Sequence, residues 1–326
     1  MARATRLSQQ QGAALLLVLM VVAIVSVMAV AVSERTQTAI RLADSTNSAR
    51  QAAAYLAGAE LRAKLLIEEA VLSGRVDLSQ RWAKPQLFEI EGGTMGLQLQ
   101  DLSSCFNLNI IAEQLEIRGG SGTASKAVQQ LTQLMQQQGI SHADQQKLVA
   151  RLTDWVDPDT LPTGSLGAED LYYTRLAAPY RAANSPLVDL SELRLMEIDA
   201  DLLAKMGDAL CVRPLGTGDL LNVNTVADAK RMEIVSLGQL TQGDAQNLID
   251  QRPEQGYATL AEFVMAAQQI LPEESEFNGT GFSTLSYHFR GRLSVEYQQL
   301  YNTAEVEFVV RNNKVEVLRR NIGERF

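Results

Sequence analysis

The densest chemistry in this sequence is acidic. Asp154-Trp-Val-Asp157-Pro-Asp159 is followed about ten residues later by Glu169-Asp170-Leu-Tyr172-Tyr173, and the stretch between them is broken by Pro158, Pro162, Gly164 and Gly167. Five carboxylates on one irregular loop repel one another unless a cation compensates. Calcium is the natural candidate, because it accepts six to eight oxygens in flexible geometry, backbone carbonyls included. The spacing is not that of an EF-hand, since no glycine falls at the sixth position counted from Asp157. A solvated acidic loop without a metal is the other reading, and composition does not choose between them. Trp155, Tyr172 and Tyr173 read as core or loop anchors, and Arg175 and Arg181 as countercharges.

Other routes to chemistry are thin. His142 and His288 stand in unrelated contexts, one at a helix edge and one in a strand pattern, and no nucleophile-and-base motif accompanies either. Paired carboxylates can perform acid-base chemistry on a glycan, but nothing beyond the acidic run supports that role. The expectation is a protein that is not an enzyme. The net charge of −9 disfavours nucleic acid as a partner.

These acids must be carried by something, and the N-terminus says what. Ala13 to Val32 reads AALLLVLMVVAIVSVMAVAV, twenty residues without a charge, behind a basic leader, MARATRLSQQQG, that ends in Gly12. At about 1.5 Å per residue, twenty helical residues reach about 30 Å, the thickness of a bilayer's hydrocarbon. Arg3 and Arg6 without an acidic neighbour place the N-terminus in the cytoplasm and the rest of the chain across the membrane. Ser33 to Ser73 continues as a helical pattern without proline, and with Gly58 as its only glycine before the end. Ala39, Leu42, Ala53, Leu56, Leu61, Leu65 and Leu66 form its expected apolar stripe, facing a globular domain.

Two regions alternate as strands do. Leu87 to Asp101 suggests a hairpin about Gly92 and Gly93, and Ser286 to Ile322 a run of strands with a turn at Asn312 and Asn313. Between them, from about Asn107 to Gln269, the pattern is helical. Asp189-Leu-Ser-Glu192 and Thr259-Leu-Ala-Glu262 each have the capping-box spacing of a helix start. The order Leu221 to Val226, two helical stretches and Tyr257 looks like tandem helix-hairpin-helix modules, some of which bind DNA. Here Ser236-Leu-Gly-Gln-Leu240 replaces the Gly-hydrophobic-Gly hairpin and cations are scarce, so the scaffold is expected without nucleic-acid binding.

Basic leader, glycine, spanning segment and amphipathic continuation together resemble the type IV pilin class. In that class a membrane prepilin peptidase cuts after the glycine, which implies cleavage between Gly12 and Ala13, methylation of the new N-terminus, and a net charge of −11 for the mature chain. Most members carry glutamate at the fifth mature position; Leu17 stands there instead. That departure and the unusual length resemble the K-type minor pseudopilin family of type II secretion systems (GspK/XcpX).

The resemblance implies an α+β fold, with a type IV pilin-like long N-terminal helix plus antiparallel sheet and a large inserted all-helical domain. The expected divisions are a leader at 1–12, a transmembrane part at 13–32, a pilin-like part at 33–104, the insertion at 105–275, and C-terminal strands at 276–326 that complete the sheet. It further implies calcium held by Asp157, Asp159, Glu169 and Asp170, with Asp154 either joining them or capping and pairing structurally. Implied partners are minor pseudopilins of the I and J types, the prepilin peptidase and inner-membrane lipid, with no nucleic acid. The implied site of action is the bacterial inner membrane, single-pass, with the bulk of the chain periplasmic and its head at the pseudopilus tip, helping to start assembly and export of folded proteins. The alternative is a signal-anchored periplasmic binding protein with helix-hairpin-helix-like modules.

Cys105 and Cys211 are the only cysteines. In an oxidising compartment they read as a disulfide, and closing so long a loop contributes about 4 to 5 kcal/mol in the chain-entropy model. Two buried free thiols are the other possibility.

Overall fold

The computed structural model describes residues 5–118, 126–214 and 220–323. Residues 1–4 of the leader lie outside them. The chain opens with one helix, α1 (Thr5–Leu72), of 68 residues, about 100 Å long at the usual rise. Its apolar first part is the one described helix long and apolar enough to cross a membrane.

The expected apolar stripe on the outer half of α1 is corrected. The face that packs is Ala52, Ala59, Ala63, Leu66, Ile67 and Ala70, whereas Leu42, Leu61 and Leu65 stay exposed. Leu56 alone of the larger expected residues besides Leu66 touches the core. Alanines let the helix axis approach the sheet closely, so small residues mark much of the contact and Leu42, Leu61 and Leu65 are left outside.

The sheet is built from β1 (Gln86–Ile90), β2 (Gly93–Asp101), β7 (His288–Tyr297), β8 (Leu300–Arg311) and β9 (Lys314–Ile322), in that spatial order and antiparallel throughout. Gly92 has φ +85°, and Asn312 and Asn313 have φ +51° and +60°, so both tight turns sit at residues that tolerate left-handed backbone. Leu97, Leu99, Phe289, Leu293, Val306 and Phe308 face α1 and close the first core.

One irregularity matters later. β8 and β9 pair in register until Phe308 meets Val317, after which Glu307 meets Arg319 and Leu318 is skipped. This bulge turns Arg319 to the outer face of the sheet and Arg320 to the helix side, where Arg320 binds Glu60 of α1 at 2.6 and 2.8 Å.

Everything between β2 and β7 is inserted. Its elements in chain order are β3 (Phe106–Asn107), α2 (Asn109–Arg118), α3 (Lys126–Gln137), α4 (His142–Val156), α5 (Asp170–Tyr173), α6 (Glu192–Leu195), α7 (Ala200–Met206), β4 (Leu210–Cys211), β5 (Leu221–Asn222), α8 (Ala229–Val235), α9 (Gln242–Asp250), α10 (Leu260–Ile270) and β6 (Phe282–Ser283). The insertion is helical apart from two short parallel pairs, β3 with β4 and β5 with β6. It has two cores: one gathers Phe106, Leu131, Leu152, Tyr173 and Leu210 with their neighbours, the other Leu221, Met232, Leu248, Phe263 and Phe282.

The helix-start readings hold unequally. Thr259 Oγ1 accepts from the Glu262 N–H at 3.2 Å. Asp189 instead accepts from Ser191 N–H, and the helix it precedes, α6, is a single turn whose N-cap is Ser191. The one reciprocal capping box among the described residues is Thr241 with Asp244. Cys105 and Cys211 are bonded, with Cα atoms 5.7 Å apart, pinning β3 beside β4.

Candidate metal centre

The centre is assembled by one helix end and one helix start. α4 begins at Ser141, whose Oγ accepts from Asp144 N–H, and stops at Asp157, whose backbone is extended with ψ 158°. Pro158 dictates that stop, since the residue before a proline is driven from helical to extended backbone. The loop folds back at once: Thr163 N–H donates to Asp154 Oδ1 at 2.9 Å, Leu161 N–H to Asp159 Oδ1 at 2.7 Å, and Gly167 N–H to Thr163 O at 3.1 Å. Asn184 clamps the outside by donating to Asp159 O at 2.9 Å. The chain re-enters helix at Glu169, the N-cap of α5, whose carbonyl accepts from Tyr172 and Tyr173 N–H.

Carboxylate oxygens of Asp157, Asp159 and Glu169 all come within 4.8 Å of one another. Asp154 is fully buried beside them, with Oδ2 lacking any hydrogen bond, and so do Asp157 Oδ1 and both oxygens of Glu169. Buried acceptors without donors are costly. Burial, and then the charges of Asp159 and Asp154, push the Asp157 carboxyl up to about 6. Burial, and then Asp154, Asp157, Asp159 and Asp170, push Glu169 up to about 7.

This donor set fits a hard, oxygen-seeking cation. Oxygens that close can share one ion at the 2.3–2.6 Å usual for calcium, and Asp157 Oδ1 and both oxygens of Glu169 have no hydrogen-bond donor. No histidine or cysteine sulfur stands in the cluster to favour zinc.

Of the expected ligands, then, Asp157, Asp159 and Glu169 converge and Asp154 lies against them. Asp170 turns aside: its Oδ1 accepts from Ala182 N–H at 3.0 Å, and Oδ2 stands 3.7 Å from Arg181. Arg181 is thus a countercharge, whereas Arg175 makes no ion pair among the described residues. Trp155 and Tyr173 are buried, their rings edge to face at 5.4 Å, and Tyr180 stacks on Tyr173. Sequence reasoning passed over Arg151, which is buried, lies 4.7 Å from the Tyr172 ring, and donates to Met196 O and Tyr172 Oη. Glu192, read from sequence only as a capping residue, also accepts from Trp155 Nε1 at 2.9 Å.

Elsewhere, α8 and α9 form a helical hairpin through Leu237 and Gly238, both at positive φ. Gly12 and Ala13 lie within the backbone span of α1.

Comparison with known proteins is consistent along the chain. Residues 104–215 and 221–284 match the two family models described as type II secretion system protein K, a division that follows the two cores except for Ile234, which packs in the first. The protein K of Pectobacterium carotovorum is 34% identical over 275 residues, covering 82% of this chain and 83% of that one. That of Pseudomonas aeruginosa is 32% identical over 80% and 78%, and that of Aeromonas hydrophila 29% identical over 97% and 98%. A chain in the crystal structure of the GspK-GspI-GspJ complex from enterotoxigenic Escherichia coli superimposes with a TM-score of 0.70 at 28% identity, covering 86% of this chain and 99% of that one. A pilin-like helix and sheet, a two-core insertion and relatives of matching length give one conclusion: this chain belongs to the type II secretion system protein K family and is a minor pseudopilin.

Proposed function

We propose that this pseudopilin caps the pseudopilus, sitting at its tip in company with minor pseudopilins of the I and J types and helping to start assembly. One observation carries the reading. The Gly93 and Tyr297 ends of β2 and β7 lie beside Tyr55, in the part of α1 nearer the membrane, with Tyr55 and Tyr297 rings 5.7 Å apart. The insertion leaves β2 after Asp101 and rejoins at His288, the opposite end of the same strands. The bulk therefore lies beyond the sheet on the far side from the membrane, where it obstructs any subunit stacked above. The relative that superimposes on this chain comes from a complex with GspI and GspJ, which favours equivalent partners here.

In this reading Arg3 and Arg6 hold the leader in the cytoplasm, prepilin peptidase cuts after Gly12, Ala13 becomes the methylated first residue, and Ala13 to Val32 stays in inner-membrane lipid. Leu17 removes the carboxylate that repeating subunits place in the bilayer, which suits a subunit added once. Calcium, held by Asp157, Asp159 and Glu169 with Asp154 adjacent, supplies the positive charge that lets the loop from 157 to 169 keep one shape. Export of folded proteins then depends on surfaces, not turnover.

Mass spectrometry of the membrane-extracted protein tests the reading. An N-terminus at Ala13 carrying one methyl group is expected; an intact Met1 or Ala2 would refute it. Cross-linking of assembled pseudopili should capture this chain with I- and J-type partners at one end, and regular recovery along the shaft contradicts capping.

A further inference from the structure

Polar contacts tie the pilin-like part to the insertion, among them Asn222 donating to Val76 O, Thr225 to Asp101 and Arg319 to Val188 O. One set of these contacts starts at the carboxylate cluster. Trp155, two residues before Asp157 on α4, donates from Nε1 to Glu192 Oε2 at 2.9 Å. The other oxygen of Glu192 accepts from the N–H groups of Val188 and Asp189 at 2.7 and 2.8 Å, fixing that turn. Arg319 of β9 then grips the same turn, donating to Val188 O at 2.9 Å and pairing with the Asp189 carboxylate. Its second terminal nitrogen reaches Glu307 of β8 at 2.9 Å, and Glu307 also accepts from Arg290 of β7 at 3.2 Å.

The line is continuous from the end of α4 to the middle of the sheet, and it is largely shielded. The side chains of Arg319, Asp189 and Glu307 are 18%, 29% and 6% exposed, so their attraction is less screened than that of a surface pair. It also depends on the bulge at Leu318, without which strand alternation would aim Arg319 at α1.

We infer that Glu192 and Arg319 are positioning residues that latch the carboxylate cluster to the pilin-like sheet, so that cation binding at the cluster and docking of the insertion reinforce each other. The inference rests on the calcium reading above. A cation that draws Asp157 and Glu169 together fixes the end of α4 and with it the Trp155 indole. An ordered indole holds Glu192, and Glu192 holds the turn that Arg319 grips. Coupling of this kind is reciprocal: whatever calcium adds to docking, docking adds to calcium affinity.

The test uses the full chain in detergent, with calcium affinity from titration calorimetry and amide hydrogen exchange followed with and without calcium. In the unaltered protein, calcium is expected to slow exchange at 186–192 and across β9. Arg319→Met should lower calcium affinity about fivefold or more and abolish the calcium effect on β9, and Arg319→Lys should restore part of both. Glu192→Gln keeps an oxygen for the backbone donors but faces the indole N–H with an amide, so it should reproduce the loss while leaving the melting temperature in chelator within a few degrees. Calcium affinities equal within twofold across these variants, with β9 exchange indifferent to calcium, would overturn the latch alone. Failure of the unaltered protein to bind calcium would overturn the metal reading and the latch together.

Discussion

Gly167 packs so tightly on Asp154 that a Cβ at its position would stand 2.3 Å from Asp154 Oδ2 and 2.5 Å from Thr163 N. The loop carrying the candidate ligands closes only because residue 167 has no side chain. Gly167→Ala is expected to destabilise the protein by about 1 to 3 kcal/mol, the usual cost of overpacking, and to weaken calcium binding by displacing Asp154. Gly58→Ala, on an open face of α1, is the control and should stabilise by up to about 1 kcal/mol. Thermal melts of both variants decide it; equal effects refute the constraint.

The cluster predicts opposite effects of one mutation in two buffers. With chelator present, Asp157→Asn relieves repulsion among Asp154, Asp157, Asp159 and Glu169, so the melting temperature should rise. With calcium present, the unaltered protein should gain about 2.7 kcal/mol at a hundred times its dissociation constant, and the variant should gain much less. Melting temperatures of the unaltered protein that ignore both chelator and calcium would remove the metal centre.

Acid should be felt at His288. Burial, and then repulsion from Arg213 and Arg311, push its imidazole down to about 4. The unfolded chain binds this proton near pH 6.5, so the contribution is intact above that value, drains as pH falls, and is fully lost below about 4. At about 1.4 kcal/mol per pKa unit, the total reaches about 3 kcal/mol. His288→Gln should flatten this part of the curve, and a difference between the two proteins that is constant from pH 7.5 to pH 4 would contradict it.

The disulfide joins residues 106 positions apart. Reducing it should cost about 4 to 5 kcal/mol if unfolded-chain entropy dominates, lowering the melting temperature of the whole insertion. Calorimetry with and without reductant measures this. An unchanged transition would place the stabilisation elsewhere.

Much of the architecture is legible without coordinates, because its signals are local. An uncharged run of twenty residues needs only its own composition to be apolar, alternation from Leu87 to Asp101 needs only a period of two, and Asn312-Asn313 turns because those side chains tolerate positive φ. The acidic run Asp154 to Asp170 likewise announces a charge problem on composition alone. What sequence could not supply is anything set by distance across the fold. Spacing alone marks Ala39, Leu42, Ala53, Leu56, Leu61, Leu65 and Leu66 as the stripe on α1, but close approach to the sheet selects Ala52, Ala59 and Ala63 and leaves Leu61 and Leu65 outside. Sequence marks Asp157, Asp159, Glu169 and Asp170 alike as ligands and sets Asp154 apart; in the fold Asp157, Asp159 and Glu169 converge, Asp154 packs against them, and Asp170 faces Ala182 N–H and Arg181. Arg319 and Arg320 are adjacent arginines in a strand, and only the bulge at Leu318 sends one to Asp189 in the insertion and the other to Glu60 on the helix. Sequence by itself determined the anchor, the strands and the acidic loop, since short-range patterning and chain stiffness fix those. Tertiary structure alone decided which carboxylates meet and what ties them to the sheet, because the first depends on how the loop from 157 to 182 folds back on itself and the second on where residues 130 positions apart come to rest.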